Sequence, residues 1–376
     1  MSAALAIGAL ALGLAPLFAW GFRHLPRERW QVLAALPWER QPDGMWRGVN
    51  LTYYGLFNAL AVALGVALAV FLPATVGLPL GYLAGCIVAF LALLLPASKL
   101  VNRLVEGHWH GFTVGGACFV GLLAGPWLIL GVSRLALPPE QAVAAVPTML
   151  GALLPAYALG EGVGRLACIS FGCCYGRPLA ACPGWLQKLF ARCAFAFEGR
   201  LKKASYAHGF EGQPLVPVQA LTAVLSSLAG LTGMALFLSG RPVAAFVLAV
   251  VATQGWRFVS EFLRADDRGA GRISAYQWMA LAGAVYTLAL GWWWPEAPRP
   301  APEVARGLAL LWTPGAILFI EAVAALVFVR MGVSTVTASR IALDLRPDRV
   351  RGVPSAAPVP EETGNVAPVS QPQRPT

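Results

Sequence analysis

The chain is short of charged residues: only 12% of its 376 residues are Asp, Glu, Lys or Arg, whereas 57% are hydrophobic. A soluble globular domain carries roughly a quarter charged residues, so this composition excludes an ordinary cytosolic enzyme. The mean hydropathy is +0.64, and the apolar residues fall into blocks of about 20, the length that crosses a bilayer as a helix. The sequence therefore predicts a polytopic membrane protein.

A run of Lys and Arg interleaved with exposed aromatic residues is also missing, although the net charge is +10. A cationic chain without such a run is a poor match for nucleic acid and suits anionic phospholipid headgroups. The first apolar run lacks both a basic preceding region and a small-x-small cleavage site, which favours a retained helix over a removed signal peptide. Membrane lipid is thus the expected partner, and no nucleic acid is expected.

Cysteine motifs of the common metal-binding and redox types are absent. The seven cysteines are an odd number, which excludes a fully paired disulfide scaffold, and no C-x-x-C segment occurs. His108 and His110 taken with Cys173 and Cys174 match no closed zinc spacing, so we expect no metal and no cofactor. The vicinal Cys173 and Cys174, with Cys168 nearby, leave a thiol–disulfide centre as an alternative.

Nine apolar runs bounded by charge, Pro or Gly predict an all-α membrane fold. They cover residues 3–20, 51–73, 75–97, 111–135, 143–161, 217–239, 243–262, 273–294 and 308–330. The predicted division is an N-terminal helix with a basic linker at 1–49, a core at 50–294 with an interfacial loop at 162–216, an extra helix at 295–334 and a disordered Pro-rich tail at 335–376.

Alternation of the nine spans sorts the loops onto two membrane faces of very unequal charge. The loops on one face carry 17 Lys and Arg residues, and the loops on the other carry 3. The positive-inside rule predicts a cytoplasmic location for the basic face. That rule assumes that the basic residues set the orientation, whereas arginines that hold a phosphate would be present wherever the site faces.

The segment 160–185 is an island of Gly, Cys and Arg in an otherwise aliphatic chain. Arg165 follows Gly164 at the end of a predicted span, and Gly176 and Arg177 follow within 12 residues. Glycine lets a ligand approach the backbone closely, and a guanidinium binds phosphate through two parallel hydrogen bonds. The pattern predicts a phosphate clamp; the alternative is a Gly-rich turn whose arginines snorkel to the interface.

Charged residues near the end of the span at 243–262 form a second candidate. Arg257, Glu261 and Arg264 are spaced i, i+4 and i+7, which predicts that they share one helix face. Ionisable residues in membrane helices usually face the bundle interior and mark substrate paths. The alternative is an interfacial ion pair without a ligand.

His110 and Tyr54 complete the candidate site. His110 precedes the fourth span and is the candidate general base, since histidine titrates near neutral pH; a histidine without chemistry is the alternative. Tyr54 opens the second span, where an aromatic belt alone would explain it. Alternation places all the candidates at one membrane face, which predicts a cationic pocket at headgroup depth: Tyr54, His110, Arg165, Gly176, Arg177, Arg257, Glu261 and Arg264.

These residues resemble the bacterial prolipoprotein diacylglyceryl transferase family. Tyr54-Gly55-Leu56 resembles the Tyr-Gly-Leu of the family's first core helix, and His110-Gly111 resembles its His-Gly-Gly segment. Gly164-Arg165-Leu166, followed by Gly176-Arg177, reproduces the spacing of a signature that begins Gly-Arg-(Ile/Leu)-Gly-Asn and ends Gly-Arg.

The resemblance continues towards the C-terminus. Arg257-Phe258, Glu261-Phe262 and Arg264 are similar to the family's Arg-Phe-x-x-Glu-Phe-x-Arg, and Gln277-Trp278 falls where its Gly-Gln-x-Leu-Ser would. Motif order and spacing agree over 50–294, which holds seven spans, the number the family uses. The resemblance implies a seven-helix transferase-like core, with one extra transmembrane helix at each end.

The chain also departs from the family's pattern. Cys168 stands where the signature has Asn, and Phe171-Gly172-Cys173 replaces its Asn-Gly-Glu. Of the family's His-Pro-x-Gln-Leu-Tyr-Glu, only Pro217 and Gln219 are kept.

The resemblance implies transfer of the diacylglyceryl group of phosphatidylglycerol to a thiol acceptor, the lipobox cysteine of a prolipoprotein, with release of glycerol phosphate. It also implies a multi-pass protein of the bacterial inner membrane whose basic face is periplasmic. Two alternatives remain: a non-catalytic lipid-binding or transport protein on the same scaffold, and a membrane thiol–disulfide protein.

For the transfer, we expect four catalytic residues. His110 accepts the thiol proton, Arg165 and Arg257 clamp the phosphate, and Glu261 orients Arg257. The expected substrate-binding residues are Tyr54, Gly164, Gly176, Arg177, Gln219 and Arg264.

Overall fold

The computed structural model of the chain describes residues 2–40, 42, 46–107, 113–265, 273–294 and 300–334. The helices in these ranges are α1 Ala3–His24, α2 Tyr53–Ala74, α3 Leu80–Glu106, α4 Val114–Ala136, α5 Pro139–Phe171, α6 Gly184–Phe190, α7 Lys203–His208, α8 Val218–Leu238, α9 Pro242–Ser260, α10 Ala275–Trp293, α11 Val304–Leu311 and α12 Pro314–Gly332. The strands are β1 Val32–Arg40, β2 Trp46–Thr52 and β3 Val333–Ser334, which form one antiparallel sheet in that order.

Eight of the described helices are long and apolar enough to cross a membrane: α1, α2, α3, α4, α5, α8, α9 and α12. The predicted all-α polytopic membrane fold is thus confirmed. The ninth predicted span, at 273–294, forms α10, which packs against α4 and α9. Helix α10 contains Gln, Tyr and Trp residues and is not among these eight, so the count by length and composition is eight.

Helix α5 lies at the centre of the bundle and contacts α2, α4, α8 and α9. Its 33 residues correspond to a length of about 50 Å. Small residues allow the close packing: a Cβ on Gly162 would lie 2.2 Å from Ser227 Oγ on α8, and one on Gly151 would lie 2.4 Å from the Pro242 carbonyl oxygen. α5 runs ten residues beyond the predicted span end at 161, so Arg165 lies inside the bundle and not in a loop.

The loops meet at the two ends of the bundle, as the alternation of spans predicts. At one end, Glu198 N donates to Pro26 O at 3.1 Å, and Arg177 N donates to Leu263 O at 2.8 Å. At the other end, Glu303 N donates to Thr75 O at 2.9 Å. The described loop residues 25–31, 172–217 and 261–265 are therefore joined at one end of the bundle, and we call them the basic loop layer.

The segment predicted as a basic linker contains a β-hairpin that was not predicted from the sequence. Strand β1 lies within it, β2 begins within it and ends at Thr52, and β2 pairs with β3 directly after α12. Thr52 Oγ1 donates to the Gly332 carbonyl at 3.1 Å and so joins the start of α2 to the end of α12. The tail at 335–376 lies outside the described residues.

Candidate active site

A cavity of about 370 Å³ lies between α2, α3 and α5, with α4 and α12 contributing Val114 and Met331. Most of its wall is apolar, and its polar groups include Tyr54, Glu161 and Arg165. A volume of this order suits part of a lipid or a drug-sized ligand. The cavity therefore combines an apolar chamber with charged groups inside a membrane bundle.

Two arginines share one carboxylate beside this cavity. Glu161 pairs with Arg165 one turn further along α5, and the same carboxylate oxygen accepts from Arg257 Nη2 of α9 at 3.2 Å. All three side chains are mostly buried. The other carboxylate oxygen accepts from Ser226 Oγ of α8 at 3.4 Å. Helices α5, α8 and α9 thus meet at Glu161.

Arg257 is held by a second set of contacts from the neighbouring helices. Its Nη2 also donates to the Tyr157 hydroxyl at 3.2 Å, and Cys118 Sγ contacts the same hydroxyl at 2.9 Å. On α4, a Cβ at Gly115 would lie 2.8 Å from Arg257 Nη1. The absence of a side chain at Gly115 therefore leaves room for the guanidinium.

The expected pairing of Arg257 with Glu261 is wrong. Helix α9 ends at Ser260, Glu261 begins a short 3₁₀ turn, and Arg264 is extended, so the three charges do not share one helix face. Glu261 pairs with Arg264 at 3.4 Å and accepts from Ser274 Oγ at 3.5 Å. The orienting carboxylate of Arg257 is Glu161, on a different helix.

Gly176 and Arg177 connect the long loop to this pair through their backbones. Gly176 forms an isolated bridge with Arg264, and a Cβ on Gly176 would lie 2.3 Å from the Val216 carbonyl oxygen. Glycine is therefore needed there for close packing. The side chain of Arg177 is exposed, so the structure does not bring its guanidinium into the buried cluster.

The remaining expected residues fall in three groups. Tyr54 and Gly164 line the cavity, and the Tyr54 ring packs on Phe171 with centroids 5.5 Å apart. Gln219 Nε2 donates to the Cys173 carbonyl at 2.8 Å. His110 lies outside the described residues.

Glu161 is a residue of the charged cluster that was not predicted from the sequence. A signal was present, because Glu161 precedes Arg165 by four residues, the spacing of a helical ion pair. The span was predicted to end at 161, which placed Arg165 in a loop. The i, i+4 spacing brings two side chains together only within a helix, so the pair was not recognised.

Three thiols meet where α5 ends. Gly172, with φ of 74°, terminates the helix, and the N–H groups of Gly172 and Cys173 both return to the Cys168 carbonyl. Cys174 then takes a positive φ of 56°. The Sγ atoms of Cys168, Cys173 and Cys174 lie within 4.8 Å of one another. Hydrogen bonds from the other two thiols, followed by the charges of Arg264 and Arg165, hold the pKa of Cys174 well below its usual value.

Comparison with known proteins gives one family. The family model for prolipoprotein diacylglyceryl transferase matches residues 45–293, an interval that contains the cavity helices α2 to α5 and the whole charged cluster. The phosphatidylglycerol–prolipoprotein diacylglyceryl transferase of Clostridium tetani (strain Massachusetts / E88) is 26% identical over 269 residues, which cover 65% of this chain and 92% of that protein. Helices α1, α11 and α12 lie outside the family match.

Proposed function

The chain belongs to the prolipoprotein diacylglyceryl transferase family, and on that premise we propose that it moves the diacylglyceryl group of phosphatidylglycerol to a prolipoprotein cysteine thiol, with release of glycerol phosphate. The observation that carries this proposal is the apolar cavity lined by Arg165 and Glu161, whose carboxylate also binds Arg257. The protein is thus a multi-pass membrane transferase, and we propose phosphatidylglycerol as its donor and a prolipoprotein cysteine as its acceptor.

The charge of the cluster favours an anionic ligand. Arg165 and Arg257 carry two positive charges against the single negative charge of Glu161, and all three are mostly buried. An uncompensated charge inside a membrane bundle is costly. A lipid phosphate would supply the missing negative charge, and guanidinium groups bind it through charge-assisted hydrogen bonds. The acyl chains would then occupy the apolar part of the cavity.

The same arrangement suits the chemistry of transfer. A thiolate attacks the glyceryl carbon, the C–S bond forms, and the C–O bond to phosphate breaks with its electrons leaving on the phosphate oxygen. Negative charge therefore grows on the leaving group, where Arg165 and Arg257 would stabilise it. Glu161 acts as a positioning residue for both arginines, and towards Arg257 it takes the role that was expected of Glu261. His110 stays our candidate for accepting the thiol proton.

We further propose that the basic loop layer faces the periplasm from the inner membrane. The support is chemical: the arginines closest to the cavity hold a phosphate and so need not set the orientation. A lipobox cysteine presented at the outer face would then reach Tyr54 and Cys168, which line the cavity near the layer that contains 172–217.

The test measures release of glycerol phosphate from headgroup-labelled phosphatidylglycerol by the purified chain, with and without a lipobox peptide. We expect peptide-dependent release that falls about 100-fold or more in Arg165→Ala, the scale of losing a charge-stabilising donor. Arg306→Ala is the matched control, because Arg306 pairs with Glu303 on the surface near the opposite end of the bundle. Lipid that binds the folded protein without peptide-dependent release would contradict transfer and favour a lipid-binding protein.

A further inference from the structure

The three clustered thiols have no role in the function proposed above. Their Sγ atoms lie within 4.8 Å of one another. Thiolates on a tetrahedral Zn²⁺, at bond lengths of about 2.3 Å, stand about 3.8 Å apart, so small side-chain rotations would complete the geometry. We propose that Cys168, Cys173 and Cys174 bind a zinc ion whose fourth coordination position, towards the cavity, receives the acceptor thiol.

The backbone brings these thiols together at an energetic cost. Cys174 is the one non-glycine residue in the described part of the chain with a positive φ. A side chain in that region costs of order 1–3 kcal/mol, and such strain clusters at functional sites. Without the turns at Gly172 and Cys174, the chain would continue away from Cys168. The turn thus gathers a thiol from the helix and two from the loop.

An independent observation beside the cluster points to a ligand. Gln219 is buried, and its Nε2 donates a hydrogen bond to the Cys173 carbonyl. Its Oε1 has no hydrogen-bond partner among the described residues. A buried acceptor without a donor is costly. A water on the zinc ion would supply that donor in the resting protein.

The surrounding charge suits a loaded site. Three thiolates on Zn²⁺ leave a net charge of −1, and Arg264 and Arg165 both interact electrostatically with Cys174. Cys168 lines the cavity next to Arg165, so the metal would stand at the wall where the lipid phosphate is proposed to bind. Three protein ligands with one open position are the arrangement of a catalytic zinc site.

The chemistry, which rests on the proposed function, balances without an oxidant or reductant. The acceptor thiol displaces the water on zinc and gives up its proton, for which His110 remains the proposed acceptor, because only the thiolate is a ligand. Its sulfur then attacks the glyceryl carbon: the C–S bond forms, the C–O bond breaks, and glycerol phosphate leaves with the bonding electrons. The thioether product has no negative charge and binds zinc weakly, so water replaces it.

The metal is measured directly on the reduced full-length chain in detergent, loaded with Zn²⁺, dialysed and analysed by mass spectrometry. We expect about one zinc per chain and at least a tenfold loss in Cys168→Ser/Cys173→Ser/Cys174→Ser. Cys174→Ser alone serves if the triple variant fails to fold. Cys193→Ser is the matched control, because Cys193 is exposed and lies outside the cluster. Reduced protein that holds no zinc, or a triple variant that keeps it, overturns the proposal.

The open position is tested with Co²⁺ in place of zinc. We expect sulfur-to-cobalt charge-transfer absorption that grows when a single-cysteine lipobox peptide is added and stays constant with the matching serine peptide. Equal spectra with both peptides would overturn the acceptor position. These measurements need no turnover: metal binding without any transfer would reject the proposed function alone, whereas transfer by a metal-free chain would reject this inference alone.

Discussion

Glu161 is the residue that joins the two arginines proposed to hold the phosphate. Both guanidinium groups meet the same carboxylate oxygen, and Ser226 fixes the other oxygen. Losing this carboxylate would leave Arg165 and Arg257 repelling each other. The cluster's geometry therefore depends more on Glu161 than on Glu261, which serves Arg264.

Glu161→Gln keeps the shape of the side chain and removes its charge. A hydrogen bond to a charged group contributes about 1.5–3 kcal/mol, so we expect kcat/KM for transfer to fall about 10- to 100-fold. The assay is labelled-headgroup release over a range of phosphatidylglycerol concentrations. Glu303→Gln is the control, since it removes an exposed carboxylate that also pairs with an arginine. Equal effects of the two substitutions would show that Glu161 does not position the arginines.

Lys202 is a buried lysine that links three parts of the basic layer. Its Nζ donates to the Leu25 carbonyl at 2.9 Å, at the end of α1, and to the Ser170 carbonyl at 2.6 Å, in the last turn of α5. Burial lowers the pKa of Lys202 from 10.5 to about 7, although Glu28 and Glu198 oppose the shift. Lys202 thus couples the stability of the layer to pH.

Because the pKa of Lys202 is lower in the folded chain, the unfolded chain holds more protons between about pH 7 and 10.5. The free energy of unfolding should therefore rise as pH increases from about 7 to 10.5 and fall again as pH returns to 7. Thermal unfolding in detergent from pH 7 to pH 9.5 measures it. We expect Lys202→Met to reduce the dependence of unfolding temperature on pH. Lys203→Met, at an exposed neighbouring residue, should leave that dependence unchanged. An identical slope in both variants would rule out Lys202 as its source.

Among the elements, the helices were largely predictable and the ends of the helices were not. Eight of the nine apolar runs correspond to one helix each, and the run at 308–330 covers the end of α11 and most of α12. Burial of an apolar face in lipid or protein leaves the backbone few alternatives to a helix. The end of α5 was placed at 161 because hydropathy falls at Glu161 and Arg165, yet both charges are compensated inside the bundle. The β-hairpin was missed because β1, with sequence VLAALPWER, has no clear alternation of apolar and polar residues.

Helix α12 packs against α2 although it lies outside the family match. A Cβ on Gly55 would lie 1.9 Å from Gly332 Cα, so the two backbones are in direct contact. Met331, the preceding residue, lines the cavity. The extra C-terminal helix is thus part of the cavity wall.

Gly55→Ala forces these two backbones apart. We expect a loss of about 1–3 kcal/mol in the free energy of unfolding, the range for overpacking a close contact, with a lower unfolding temperature. The control is Gly255→Ala on α9, where an added Cβ meets no atom within 4 Å. If Gly55→Ala unfolds at the same temperature as the wild type and Gly255→Ala, the α2–α12 contact is not as close as described.

Across the whole molecule, the alternation of spans could group the candidate residues but could not identify the contacts between them. In the structure, Tyr54 and Arg165 line one cavity, and Arg257 contacts Glu161 beside it. The i, i+4 rule could not identify Glu161 as the partner of Arg257, because that pair is 96 positions apart in sequence and depends on the packing of α5 against α9. Sequence spacing likewise could not predict the cluster of the three thiols, which come together only because the chain turns at Gly172.

The proposed orientation, with the basic loop layer in the periplasm, can be measured by labelling one residue at each end of the bundle. Cys193 is exposed in the long loop and is a natural reporter for that face. We expect a membrane-impermeant maleimide to label Cys193 in intact cells, with no labelling in Cys193→Ser. Ser239→Cys in the Cys193→Ser background reports the opposite end of the bundle, since Ser239 is exposed after α8, and should react only after the membrane is opened. The reverse pattern would place the basic layer in the cytoplasm.

Transfer itself is tested most directly by the mass of the acceptor. The purified chain is incubated with phosphatidylglycerol and a lipobox peptide with a single cysteine, and the peptide is analysed by intact mass spectrometry. We predict that the peptide gains one diacylglyceryl group on its cysteine and that Arg257→Ala abolishes this gain. A peptide that keeps its mass, in the presence of folded protein and bound lipid, would contradict diacylglyceryl transfer.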